Sequence, residues 1–225
     1  AVLITESYRQ TEQEPMVIRR AKAFQHILEH IPIVIRDLEL IVGSTTIAPR
    51  GCQTYPEFSY EWLEEEFDTV ATRAADPFYI SEQTKKELKE ANAYWKGKTT
   101  SELATAYMEP ETLAAMEHNM FTPGNYFYNG VGHVTVKYEE VLAIGFSGIR
   151  RKAEEELDTI NLADGNYQKK SRFLQAVMIS CDAAIAYARR YAKLALEEAQ
   201  ACQDPVRKKE LLIIAQNCAN VPENG

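Results

Sequence analysis

The chain has 225 residues, of which 45% are hydrophobic and 26% charged, and its formal net charge is −8. That mix excludes general disorder and is enough for a sizeable core, and the length suits one large domain or two small ones. The acidic balance argues against nucleic acid or an anionic membrane as the main partner. The longest apolar run, Ile31-Pro32-Ile33-Val34-Ile35, falls far short of the roughly 18 residues of a membrane span.

The N-terminal Ala1-Val2-Leu3-Ile4 has neither the basic flank nor the length of a signal peptide. Cys52, Cys181, Cys202 and Cys218 lie far apart with no Cys-x-x-Cys pair, and are expected to be reduced thiols of a cytoplasmic protein. The chain has no initiator Met and stops at Val221-Pro222-Glu223-Asn224-Gly225, so it reads as a piece of something longer.

In chain order, a first helix is expected from about Pro15 to His30. Pro15 suits a first turn, Pro32 stops the helix, and Val17, Ile18, Ala21, Phe24, Leu28 and Ile31 form its apolar stripe. Leu38-Glu39-Leu40-Ile41-Val42-Gly43 reads as a short strand. Residues 44–56 read as loop, and Pro56 to Arg73 as a helix. Ser81 can cap a helix through Trp95, and Thr100 or Ser101 one through Met108. Pro110 opens a helix to about Asn119, and further helices are expected at about 138–157, 171–202 and 205–218. Asp204-Pro205 is the N-cap and first-turn pair of the last. The stripe Leu174, Val177, Met178, Cys181, Ile185, Ala188, Tyr191, Ala192 and Ala195 marks the 171–202 helix as a core element. The fold class is therefore mainly α with a few short strands.

Three patterns bear on chemistry. His26-Ile27-Leu28-Glu29-His30 fits His-x-x-Glu-His, in which both imidazoles could bind zinc and Glu29 polarise a metal-bound water. No third ligand is marked, and Arg19, Lys22, His26 and His30 share the side opposite the apolar stripe, so a solvated polar face is the preferred reading. Glu64-Glu65-Glu66 and Glu154-Glu155-Glu156 read as solvated helix faces. The third pattern is the run from Phe121 to Val136. Gly124, Gly130 and Gly132 stand there beside Tyr126, Phe127 and Tyr128, and Asn129-Gly130 is a hairpin signal. Rigid flanks around His133 are how a binding imidazole is often presented, although a lone histidine is often structural.

At this run the chain resembles the glycyl radical enzymes, in particular the cobalamin-independent glycerol and 1,2-propanediol dehydratases. The resemblance is carried by Ala1-Val2-Leu3-Ile4-Thr5-Glu6-Ser7-Tyr8, Arg19-Arg20-Ala21-Lys22, Leu40-Ile41-Val42-Gly43 and Ala75-Asp76-Pro77-Phe78. It continues through Gly124-Asn125-Tyr126-Phe127, Gly130-Val131-Gly132-His133-Val134, Lys208-Lys209-Glu210-Leu211, and Asn217-Cys218 to Val221-Pro222-Glu223. It implies that residues 1–225 are the N-terminal helical portion of a longer pyruvate formate-lyase-like domain, a ten-stranded α/β barrel wrapped in helices.

In that family a glycyl radical, installed by a separate radical S-adenosylmethionine activase, passes to a cysteine. The thiyl takes a hydrogen from the diol carbon, water leaves and an aldehyde results. Neither an Arg-Val-Ala-Gly-Tyr loop nor a Gly-Cys-x-Glu loop is present, and Gly51-Cys52-Gln53-Thr54 has no carboxylate at the required place. The resemblance thus implies a portion that is inactive alone, with no catalytic residue and no metal of its own. His133 is the one substrate-binding residue carried over, and Asn125, Tyr126 and Tyr128 are packing candidates beside it. A small diol substrate, a homodimer and anaerobic chemistry in the cytoplasm are further implications. The alternatives are a choline- or isethionate-type lyase of the same family, a non-enzymatic helical interaction module, and a zinc hydrolase on His26 and His30.

Overall fold

The computed structural model describes residues 1–121, 132 and 134–225. Every regular element among the described residues is helical. In order they are α1 (Val2–Gln10), α2 (Met16–His30), α3 (Glu61–Glu65), α4 (Glu82–Trp95), α5 (Thr100–Ala106), α6 (Pro110–Glu117), α7 (Tyr138–Thr159), α8 (Tyr167–Ala201) and α9 (Pro205–Asn220). The mainly α class holds, whereas the few short strands do not occur among these residues. The chain forms two compact units, Ala1–Thr5 with Cys52–Val134 and Glu6–Gly51 with Thr135–Gly225.

The first unit packs around Leu63, Phe67 and Leu88, with Ala1 and Ile80 against them. Trp95 is 3% exposed and donates its indole N–H to Thr5 Oγ1 at 2.8 Å; the Thr5 hydroxyl in turn donates to the Ala1 carbonyl at 2.8 Å. Buried Asn92 donates to Glu64 at 2.8 Å. Ser81 caps α4 as expected, accepting from the Thr84 amide at 3.1 Å. The cap of α5 is Thr99, earlier than the expected Thr100 or Ser101. Its hydroxyl accepts from the Glu102 amide at 3.1 Å while the Glu102 carboxylate accepts from the Thr99 amide at 3.2 Å. That reciprocal pair satisfies two otherwise orphaned donors, which is why the helix starts there.

The helix expected from Pro56 to Arg73 shrinks to α3. Its first carbonyls are taken from outside: Glu57 accepts from the Thr100 amide at 3.0 Å and Phe58 from the Ser101 amide at 2.9 Å. Beyond α3 the chain tightens into turns, with Thr69 and Thr72 hydroxyls bonding the Glu66 and Thr69 carbonyls. Local side-chain bonds of this kind compete with helix continuation.

In the second unit α8 is the central helix, and α2, α7 and α9 pack on it. The larger core cluster joins Ile35, Tyr191, Ala195, Ala199, Leu211, Ile214 and Ala215; a smaller one joins Ile18, Ala21 and Ala176. Alanines at these α8 positions let neighbouring helices approach closely, and Tyr191 is 1% exposed. Of the stripe expected on α2, Ile18 and Ala21 are buried, while Phe24 stands 44% exposed. Arg190 donates to the Ile31 carbonyl at 2.7 Å and to that of Leu28, closing the C-terminal end of α2. Asp204 caps α9 by accepting from the Val206 amide at 2.9 Å.

The strand expected at Leu38–Gly43 is replaced by a pinned loop. The Glu39 amide turns back to the Arg36 carbonyl at 3.1 Å, Leu38 has φ 64°, and Gly43 has φ 118°. Arg207 donates to the Arg36 and Glu39 carbonyls, both at 3.0 Å, and the hydroxyls of Tyr187 and Tyr191 both donate to the Ser44 carbonyl at 3.2 Å. With the backbone fixed from three sides and no partner strand among the described residues, β-branched side chains alone do not make a ladder. The helix expected at 138–157 also differs, because α7 breaks at Gly145 (φ 61°, ψ −176°).

Candidate functional site

The glycine- and aromatic-rich run is entered from α6, whose C-terminal end turns at Asn119 with φ 54°. His133, with Asn125, Tyr126, Tyr128 and the Asn129-Gly130 turn, lies outside the described residues. On its far side Val134 is 92% exposed and residues 134–137 form no strand. Tyr138 then opens α7.

The other candidates are placed directly. His26 Nε2 sits 3.0 Å from Glu6 Oε2, and His30 Nδ1 contacts the His26 carbonyl at 2.8 Å. The two rings lie 4.2 Å apart. His30 is exposed, as a solvated face requires, but His26 is half-buried and held by a carboxylate. Each nitrogen named is occupied by a protein oxygen, and among the described residues no group of three or more His, Cys, Asp or Glu could hold a metal ion.

The Cys181 and Cys218 thiols are not arranged for nucleophilic work. Burial pushes the Cys181 thiol above its ordinary range, Asp182 adds to the shift and Arg150 opposes it. Burial alone raises the Cys218 thiol. A thiol held protonated is a poor nucleophile. All four cysteines are free.

Each unit carries one cavity worth describing. In the second unit an open cleft of about 560 Å3 is floored by Pro15, Ile18, Met178 and Ile179. Charges at its rim are largely paired: Lys22 with Glu14 at 2.6 Å, and Arg150 with Asp182 at 2.9 Å and Glu154 at 3.0 Å. In the first unit a smaller pocket of about 110 Å3 is bounded by Thr54, Tyr60, Trp62 and Asn92 among others. Burial, then Glu57 and Cys52, raise the Tyr55 phenol beside it. Neither cavity brings together an acid, a base and a nucleophile. None of the chain's ten glycines stands in an Arg-Val-Ala-Gly-Tyr loop, so these residues do not fit a radical site.

The feature that sequence reasoning missed is the break in α7. Its signal was a pair of glycines, Gly145 and Gly148, inside an otherwise regular apolar pattern. No helix among the described residues is long and apolar enough to cross a membrane.

The model of the pyruvate formate lyase-like family matches residues 1–225. A structure described as "1,2-propanediol Dehydration in Roseburia inulinivorans" is 65% identical with a TM-score of 0.95, over 99% of this chain and 27% of that one. The glycerol-bound B12-independent glycerol dehydratase from Clostridium butyricum is 53% identical, also with a TM-score of 0.95, over 100% of this chain and 28% of that one. Among curated relatives, the isethionate sulfite-lyase of Oleidesulfovibrio alaskensis is 37% identical over 100% of this chain and 28% of its own length. The chain thus spans little more than a quarter of the proteins it matches. With its whole length matched, the chain belongs to the pyruvate formate lyase-like family, the glycyl radical enzymes.

Proposed function

We propose that residues 1–225 are the N-terminal helical portion of a glycyl radical lyase that dehydrates a small diol, glycerol or 1,2-propanediol, to an aldehyde. The observation that carries this reading is the gradient of identity. It stands at 65% and 53% to the propanediol and glycerol structures, against 37% to the isethionate sulfite-lyase. The radical, supplied by a part of the protein outside these residues and installed by a radical S-adenosylmethionine activase, provides the hydrogen abstraction. This chain contributes His133. A neutral imidazole can accept a hydrogen bond from one diol hydroxyl. When protonated, it can hand that proton to a hydroxyl leaving as water. In a site that excludes water these contacts count for more than in solution.

The residues present bind and orient; they do not carry out the dehydration alone. The working protein is a cytoplasmic homodimer acting under anaerobic conditions. A C–S lyase of the isethionate type is the second reading, favoured only by the similarity to that enzyme along the whole chain.

The test is made on the full-length enzyme, activated anaerobically. His133→Ala is expected to lower kcat/KM for the diol at least 100-fold, the scale of a lost acid–base group. Unchanged turnover in that variant would remove His133 from the site. Turnover of isethionate in place of both diols would favour the second reading.

A further inference from the structure

We propose that residues 222–225 act as a strap that holds α7 in a broken state, and that α7 runs straight when the strap is released. The sequence of 138–157 has the periodicity of one continuous helix, yet the backbone leaves helical geometry at Gly145, with φ 61° and ψ −176°. In a continuous helix the amides of Phe146 and Ser147 would bond to the Leu142 and Ala143 carbonyls. Here they bond to the strap: Phe146 N–H to the Pro222 carbonyl at 2.8 Å, and Ser147 N–H to the Glu223 carbonyl at 3.0 Å.

The fit is made by two glycines facing each other's backbone. A Cβ on Gly145 would overlap the Glu223 carbonyl and Asn224, and a Cβ on Gly225 would overlap the Leu142 carbonyl and Ala143. The strap is also fastened from α8 and α9. Arg189 donates to the Glu223 carboxylate at 2.6 and 3.1 Å, and the Asn224 amide donates to the Asn220 carbonyl at 2.8 Å.

Gly145 is the hinge because glycine tolerates both the observed dihedrals and helical ones. The two states exchange the same donors between two sets of carbonyls, so neither leaves an amide unsatisfied. Loss of the strap therefore gives a helix that recloses instead of one that unravels. This inference is independent of which substrate the enzyme uses.

Spin labels introduced at Tyr138 and Asp158 of the full-length protein, through unnatural amino acids, report the length of α7. A straight helix would separate these positions by about 30 Å along its axis. In the wild type a shorter distance is expected, with slow exchange at the Phe146 and Ser147 amides. Gly225→Val is expected to lengthen the distance to the straight-helix value. Should that variant fail to fold, Arg189→Gln, which alters an exposed side chain only, decides. It is expected to add a second, longer distance population. One unchanged distance in the variant that folds overturns the proposal, as does a straight-helix distance in the wild type.

Discussion

At the scale of single residues, the side-chain bonds best placed to matter are those that satisfy backbone groups. Thr99 accepts from the Glu102 amide, and Thr99→Ala in the full-length protein is expected to cost about 1 kcal/mol, the usual worth of a cap. Thermal unfolding measures it, and an unchanged midpoint would mean that α5 does not need its box. The Glu102 carboxyl lies below its ordinary range. Burial pushes it up, but donors from Gly97, Thr99 and Lys98 outweigh burial.

Glu140 is shifted further. The Lys152 ammonium, then Lys137, hold its carboxyl down to about 2. A depressed carboxyl contributes stability above its unfolded value and loses it as the pH falls through the folded one. The difference in unfolding midpoint between wild type and Lys152→Met should therefore be present near neutral pH and close between 4.5 and about 2. The Glu140 side chain lies at the surface and is partly exposed, so added salt should shrink the difference as well. A difference that persists at pH 2 would contradict the pairing. Within the first unit, Thr5→Val removes the acceptor facing the Trp95 indole, at an expected cost of about 1–3 kcal/mol. Denaturant unfolding is the measurement, and a cost within a few tenths would contradict it.

At the scale of elements, what could be read from the sequence was whatever is decided locally. Ser81 with Thr84 and Asp204 with Val206 are caps written into four and three consecutive residues, and α4 and α9 begin where those residues stand. Pro32 and the Ile31 cap end α2 for the same reason. What could not be read was decided from far away. Residues 56–59 lose their helix because Thr100 and Ser101 take the Glu57 and Phe58 carbonyls. The loop at 38–43 is shaped by Arg207 and by two tyrosines more than 140 positions along the chain. The break in α7 depends on carbonyls at Pro222 and Glu223. Gly145→Ala puts a side chain into dihedrals that essentially only glycine adopts. It is expected to destabilise the protein by about 1–3 kcal/mol from backbone strain alone, with overlap on Asn224 adding to it. Equal stability of that variant would contradict the geometry described for the kink.

At the scale of the whole molecule, the surface is notable for what it leaves bare. Ile41 is 89% exposed, Leu38 87%, Leu162 79%, Leu142 71% and Phe173 58%. Scattered apolar residues are ordinary on a surface, but Leu38, Leu40 and Ile41 are bared within four consecutive positions, and apolar residues so close together mark contacts to be made. The isolated 225-residue chain is accordingly expected to self-associate as its concentration rises. Sedimentation velocity would show it, and a monodisperse monomer across the accessible range would contradict the expectation. Glycine density and the resemblance around His133 mark a candidate site in the sequence, and His133 itself lies outside the described residues. The histidine pair at 26 and 30 shows the limit of a short motif. Its spacing is right for a metal, yet a glutamate holds one ring nitrogen of His26, a backbone carbonyl holds one of His30, and no third ligand stands by among the described residues.

The most direct measurement is product formation by the full-length, anaerobically activated enzyme supplied separately with 1,2-propanediol, glycerol and isethionate. Aldehyde from one or both diols, lost in His133→Ala and absent with isethionate, is the expected result. Activated enzyme that releases sulfite from isethionate and leaves both diols intact would contradict the diol dehydratase reading.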